Sequence, residues 1–278
     1  MTSDTLQLSV TLHGRRWHAD MTRPLDLSIP LQFDGPQPAF FGADGAQALT
    51  LQAGSFVGDV RRGGSVNCAR YSLTPHCNGT HTECIGHITR ERVSVRDAAN
   101  HHLVPAILLS VAPQAVSDTS ERSHPVPRPG DRLITRAALQ YAARDCQPFA
   151  GGGLVVRTLP NDTTKLARNY DTVEVPPYFS AEAMGWIVDH DIRHLVVDLP
   201  SVDRSADEGL LTAHRLYWGV PPGSTSAAGA TRPDATITEL AYADSSVADG
   251  RYLLNLQVAP FDADAAPSRP VLYPLVAA

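Results

Sequence analysis

Pro75-His76-Cys77-Asn78-Gly79-Thr80-His81-Thr82-Glu83-Cys84-Ile85-Gly86-His87 is the densest run of reactive side chains in the chain. From His76 onward it packs three histidines, two cysteines and one glutamate into twelve residues. Imidazole, thiolate and carboxylate together suit zinc, or manganese where sulfur contributes less. His81 and Glu83 stand two apart, so on an extended segment both side chains reach one face. Asn78-Gly79 is a turn signal that can fold Cys77 back towards His81. Read from its residues alone, the segment fits a metal or catalytic site. It fits equally a polar loop whose histidines satisfy local hydrogen bonds.

On either side of this segment the chain reads as many short strands with few helices. Leu6 to Leu12 alternates apolar and polar residues, as a half-buried strand does. Leu25 to Pro30, Ala106 to Val111, Leu154 to Thr158 and His194 to Asp198 read as further strands, followed by Glu239 to Tyr242, Tyr252 to Val258 and Val271 to Leu275. Thr135 is a helix N-cap for a run to about Arg144. Ser180, with Glu182 in the first turn, starts a second helix that runs to Val188. Helices between buried strands indicate an α/β or mixed sheet. Residues 34–48 and 113–131 are loops, and the Gly/Ser/Ala/Pro-rich piece at 221–235 is an exposed loop or insertion. The 278 residues are read as one domain, 1–278, long enough to bury a core without staples.

A formal net charge of -6 and the lack of a basic stripe argue against nucleic acid as a partner. The opening MTSDTLQLSV lacks the pattern of a secretory signal, and Leu103 to Val111 is too short to span a bilayer. None of the four cysteines forms a C-x-x-C pair, so the expectation is a cytoplasmic protein with reduced thiols and no membrane contact.

The central segment resembles the cyclase family, which includes bacterial kynurenine formamidase and isatin hydrolase. That family carries H-x-G-(T/A)-H-x-D-x-P-x-H, and Gly79-Thr80-His81-x-Glu83-x-x-x-His87 keeps the spacing without a gap. Val197-Asp198-Leu199-Pro200-Ser201-Val202-Asp203 is similar to its I-D-T-P-S-x-D and is followed by Ala213-His214. Thr238-Glu239-Leu240, Tyr252 to Leu256 and Pro267 to Leu272 are similar to its C-terminal strands. Asp26-Leu27-Ser28 and Pro129-Gly130-Asp131 through Thr135 also fit, so the resemblance covers most of residues 24–275.

The resemblance implies the swivelling β/β/α fold, with one mixed sheet curled towards a barrel and a few flanking helices. It implies a homodimer or higher homo-oligomer acting on a small-molecule substrate, with a divalent metal, Zn or Mn. It assigns the metal ligands to Cys77, His81, Glu83, His214 and Glu239, and general acid/base catalysis to His87. Cys77 stands where the family has its first histidine; His76 lies one residue too early and reaches a metal only through a local bulge. Glu83 replaces the family's aspartate, and Ile85 its proline. Arg157 sits where family members place substrate, although a structural ion pair would explain it equally. Tyr178 and Phe179, in the Asn169 to Phe179 stretch, read as an aromatic wall or as a packed loop. The pocket walls are expected in 34–48, 165–180 and 221–235. Asp198 and Asp203 are read as braces for His214, Cys84 as a buried thiol, His101 and His102 as surface residues, and His190 and His194 as residues flanking a helix end.

The implied activity is metal-dependent hydrolysis of an amide, lactam or formamide bond in a small cyclic or aromatic substrate. Two alternatives come from other classes. One is a cyclase- or dehydratase-type lyase acting on a carbonyl substrate, in which His87 moves the proton. The other is a non-catalytic binding protein with a degenerate site.

Overall fold

The computed structural model describes residues 6–172 and 174–278; the reading of the first five residues lies outside them. Among the described residues ten strands form the main sheet: β1 (Gln7–Leu12), β2 (Arg15–Asp20), β3 (His81–Glu83), β4 (Leu103–Val111), β5 (Gly153–Thr158), β6 (His194–Val197), β7 (Thr236–Glu239), β8 (Gly250–Val258), β9 (Ala265–Ala277) and the two-residue strand Leu25–Asp26, which pairs with β9. β4, β5, β6 and β7 run parallel in that order. β3 is antiparallel to β7 on one side and to β9 on the other, and β9 returns through β8 to β4. Seven strands thus close into a mixed barrel, as the curled mixed sheet required. The β1–β2 hairpin extends it by pairing with β9.

Strand alternation sorts the core into two compartments. Val104, Ala106, Leu108, Val155, Val196, Leu254 and Leu272 form one cluster, the barrel interior. Ile107, Leu109, Val111, Leu154, Val156, Leu195, Val197 and Ile237 point outward, where Trp186, Ile187, Tyr217 and Trp218 cover them. This two-sided burial explains why the parallel strands read as continuous apolar runs.

Five helices complete the fold: α1 (Pro75–Asn78), α2 (Val95–Ala98), α3 (Arg136–Ala142), α4 (Ala181–Asp189) and α5 (Thr212–Trp218). Thr135 and Ser180 cap α3 and α4, each side-chain oxygen accepting from the backbone N–H three residues on. The strand expected at Glu239 to Tyr242 instead ends at Glu239, because Leu240 takes φ 52° and breaks the extended backbone. Residues 221–235 carry no helix or strand and are tied to Arg90 and Glu91. Among the described residues no helix is long and apolar enough to cross a membrane.

Candidate metal centre

Alternation in β3 sets the site. Thr82 turns into the barrel, where its hydroxyl meets that of Thr238 at 2.7 Å. His81 and Glu83 therefore face outward, as the two-residue spacing required, and both are fully buried. β7 pairs Glu239 with His81, which brings the Glu239 carboxylate to the same outer face. α5 crosses that face and supplies His214. The short 3-10 turn Ile85–Ile88 carries His87 back over Glu83.

α1 decides between His76 and Cys77. Pro75 opens a helical turn, and the Asn78 side chain closes it by accepting from the Thr74 N–H at 2.6 Å. The turn aims His76 at the cluster, with Nδ1 3.2 Å from Glu83 Oε2. Among the described residues, the groups able to share a metal ion are His76–His81–Glu83, Glu83–His87–His214 and His76–His87–Asp264. Neither Cys77 nor Glu239 joins them, but the Glu239 carboxylate faces His81 and His214, whereas Cys77 is 5% exposed, and burial pushes its thiol above the ordinary range. His76, not the expected Cys77, is thus the side chain turned to the cluster, and a helical turn, not a bulge, turns it inward.

The histidines share one arrangement. His81 has Nδ1 3.0 Å from the Gly79 carbonyl, which fixes the proton there and leaves Nε2 with a lone pair. That Nε2 is buried, has no hydrogen-bond partner, and stands 3.5 Å from Glu239 Oε2, another acceptor. His214 has Nδ1 2.7 Å from Asp203 Oδ2, and its Nε2 lies 3.0 Å from Glu83 Oε1 and 3.8 Å from Glu239 Oε1. His76 has Nε2 3.0 Å from Asp264 Oδ2. Each of these rings gives one nitrogen to an outer oxygen and turns the other towards Glu83 or Glu239. Glu83 Oε2 is likewise buried without a directed hydrogen bond.

Acceptor facing acceptor in a buried site requires a cation between them. Protons can serve. Burial opposes charge on His214, but Glu83 and Asp203 outweigh it and hold the ring well above its ordinary value. Burial also opposes charge on His76, yet Asp264 and Glu83 lift it to about 10. Glu83 is held low against its own burial by His87 and His214. A divalent ion suits the same donors: neutral imidazole nitrogens and carboxylates, each braced from behind. The donor set therefore fits zinc or manganese.

His87 stands at the mouth. Its side chain is 30% exposed, with Nε2 3.7 Å from Glu83 Oε2 and Nδ1 3.5 Å from Asp264 Oδ2. A cavity of about 350 Å³ opens beside it, lined by Gly86, Thr89 to Ser94 and Asp262 to Asp264. A larger cavity of about 540 Å³ lies at the C-terminal ends of β5 and β6. It draws on the expected wall at 165–180, but not on 34–48 or 221–235.

The three residues expected to touch substrate lie elsewhere. Arg157 turns into the barrel and plugs its end: the guanidinium donates to Ser110 Oγ, the Asp244 and Val247 carbonyls and Asp249. Tyr178 is wholly buried and donates to Asp131 at 2.8 Å, while Phe179 packs in the outer core. All three are corrected from substrate contacts to structural roles, because their polar groups are satisfied or their surfaces covered. Asp203 braces His214, but Asp198 pairs with Lys165 at 2.7 Å instead. His190 accepts the helix-end role through the Trp186 carbonyl, whereas His194 is buried within β6. Asp264 was not anticipated: it lies 177 residues beyond His87 in a polar hairpin turn, and nothing local marks it.

The Cyclase family model matches residues 20–204. None of the curated proteins matches the chain. Among solved structures, a predicted metal-dependent hydrolase from Bacillus stearothermophilus is 16% identical with a TM-score of 0.58, over 90% of this chain and 98% of the other. Isatin hydrolase A from Labrenzia aggregata, bound to benzyl benzoate, is 15% identical with a TM-score of 0.59, over 92% and 94%. Isatin hydrolase A from Ralstonia solanacearum is 14% identical with a TM-score of 0.57, over 91% and 92%.

Proposed function

This chain belongs to the cyclase family, and from that footing we propose that it is a metal-dependent hydrolase opening an amide, lactam or formamide bond in a small substrate. The observation that carries the reading is the buried, unpartnered Nε2 of His81 facing the Glu239 carboxylate, beside the buried Glu83 Oε2 that has no directed hydrogen bond. Isatin hydrolases among the fold's neighbours agree with an amide-type substrate.

His76, His81, Glu83, His214 and Glu239 would hold the ion. A divalent ion bound there supplies Lewis acidity, which polarises a carbonyl and lowers the pKa of a water. The two glutamates offset its charge, and the outer oxygens of Gly79, Asp203 and Asp264 keep the ring nitrogens turned inward. Protons and the ion compete for the same nitrogens, so binding releases protons and weakens as pH falls. His87 is the acid/base: it is reachable from solvent, held over Glu83, and able to give a proton to the leaving nitrogen. Burial of the other donors keeps competing water away from the reacting groups.

The test is turnover of a panel of N-formyl, lactam and linear amide substrates by protein before chelation, after chelation and after reloading. Hydrolysis that disappears and returns with zinc or manganese is expected. Elimination or ring closure without water uptake would instead establish the lyase reading. No turnover of any substrate by metal-loaded protein would leave the binding-protein reading.

A further inference from the structure

Asp264 belongs to no motif of the central segment, yet it touches two of that segment's histidines through one oxygen. Its Oδ2 lies 3.0 Å from His76 Nε2 and 3.5 Å from His87 Nδ1. The two rings stack, with centroids 4.2 Å apart and planes 28° from parallel. The backbone holds Asp264 at this point. The Cys84 N–H donates to the Asp264 carbonyl at 3.0 Å, and the Val95 N–H to the Ala263 carbonyl at 2.8 Å. Ala265 is the register partner of Glu83, so the start of β9 is locked to the strand that carries two ligands. Gly86 allows the close approach: a Cβ there would lie 3.3 Å from Asp264 Cβ and 2.5 Å from the Val93 carbonyl.

We propose that Asp264 is a positioning residue that orients the metal-facing ring of His76 and the acid/base ring of His87 together. The argument rests on the metal-dependent reading of the site. An imidazole that donates one N–H to a carboxylate presents its other nitrogen as a lone pair in a fixed direction. Asp203 does this for His214, where Nδ1 is the bound nitrogen and Nε2 faces Glu83. Asp264 does it for His76 with the nitrogens exchanged, so that Nδ1 faces Glu83. The same oxygen stands 3.5 Å from Nδ1 of His87, at the limit of a hydrogen bond, which leaves His87 Nε2 as the nitrogen that exchanges a proton with substrate. One side chain thereby sets the tautomers of a ligand and of the acid/base. His76 cannot swing out to solvent without releasing the oxygen that also orients His87.

The experiment reads ring tautomers and metal affinity as well as activity. Two-bond 1H–15N spectra of metal-loaded wild-type protein should show His76 protonated at Nε2 and His87 at Nδ1. Asp264→Asn should scramble both signatures, weaken zinc binding in a chelator competition by about 10–100-fold, and lower kcat more than it raises KM. Asp145→Asn, an exposed surface carboxylate paired with Arg144 and outside the site, should change none of these. The proposal is overturned if wild-type His87 carries its proton on Nε2 alone. It is equally overturned if Asp264→Asn leaves ring signatures and zinc affinity at wild-type values. Wild-type protein that hydrolyses no amide would refute the hydrolase reading, while the ring and zinc readouts would still decide the role of Asp264.

Discussion

A helical turn rotates successive side chains by about 100°, and across Pro75–Asn78 that rotation sends His76 to the ligand cluster and Cys77 into the protein. The resemblance had put Cys77 in the ligand place, because counting back from His81 without a gap carries no information on the helical turn before Gly79. Pro75 after Thr74 is a helix-start signal that could have corrected the register. That His81, Glu83 and His87 come together was legible because the strand and the 3-10 turn preserve their spacing; the place of Asp264 was not, since its partners are distant in sequence. The residue-level expectation is that His76→Ala strips the metal and Cys77→Ser leaves it in place. Cys77 should also alkylate slowly in folded protein with or without metal, since its thiol is buried and held protonated. Metal analysis of the two variants checks this, and loss from Cys77→Ser alone would restore sulfur to the ligand set.

α5 carries His214, one of the proposed ligands, and its seven residues gave little to read. Leu211 precedes it at φ 48° without a side-chain cap, so the start signal that revealed α3 and α4 is missing. The cap comes from outside: Asp203 accepts from the Ala213 and His214 N–H groups at 2.8 and 3.2 Å and also holds the His214 ring. At the far end, Gly219 lies at φ 68° against Thr231, with room for no Cβ. The resemblance singled out His214, and the fold shows what turns its ring towards Glu83. Asp203→Ala should therefore lower stability by about 1 kcal/mol through the lost cap and weaken metal binding by about 10–100-fold. Isothermal titration with zinc and a denaturant melt separate the two effects. Unchanged zinc affinity would remove Asp203 from the site.

At the scale of the whole molecule, the barrel interior is apolar and its ends are closed by polar residues. Arg157 closes one end. His194, wholly buried, lies within β6 with Nδ1 2.7 Å from Thr236 Oγ1 and Nε2 without a partner. Burial, with Arg193 nearby, pushes its imidazole from 6.5 down to about 4. The unfolded chain then binds the extra proton between those values, so stability is complete above about pH 6.5 and falls as pH drops towards 4. The shift corresponds to about 3 kcal/mol. His194→Gln should flatten the stability profile across that window relative to wild type, and identical profiles would contradict it. Fold class was legible from the alternation of buried strands with capped helices. Barrel closure was not, because it depends on β3 pairing with strands far from it in sequence on both sides.

The centre of the account is that buried lone pairs on His76, His81, Glu83, His214 and Glu239 form a divalent-metal site on the outer face of the barrel. Elemental analysis of protein purified without chelator tests this most directly. The account predicts stoichiometric zinc or manganese, released by chelation and by His76→Ala. Protein that carries no divalent transition metal and takes up none on addition would contradict it.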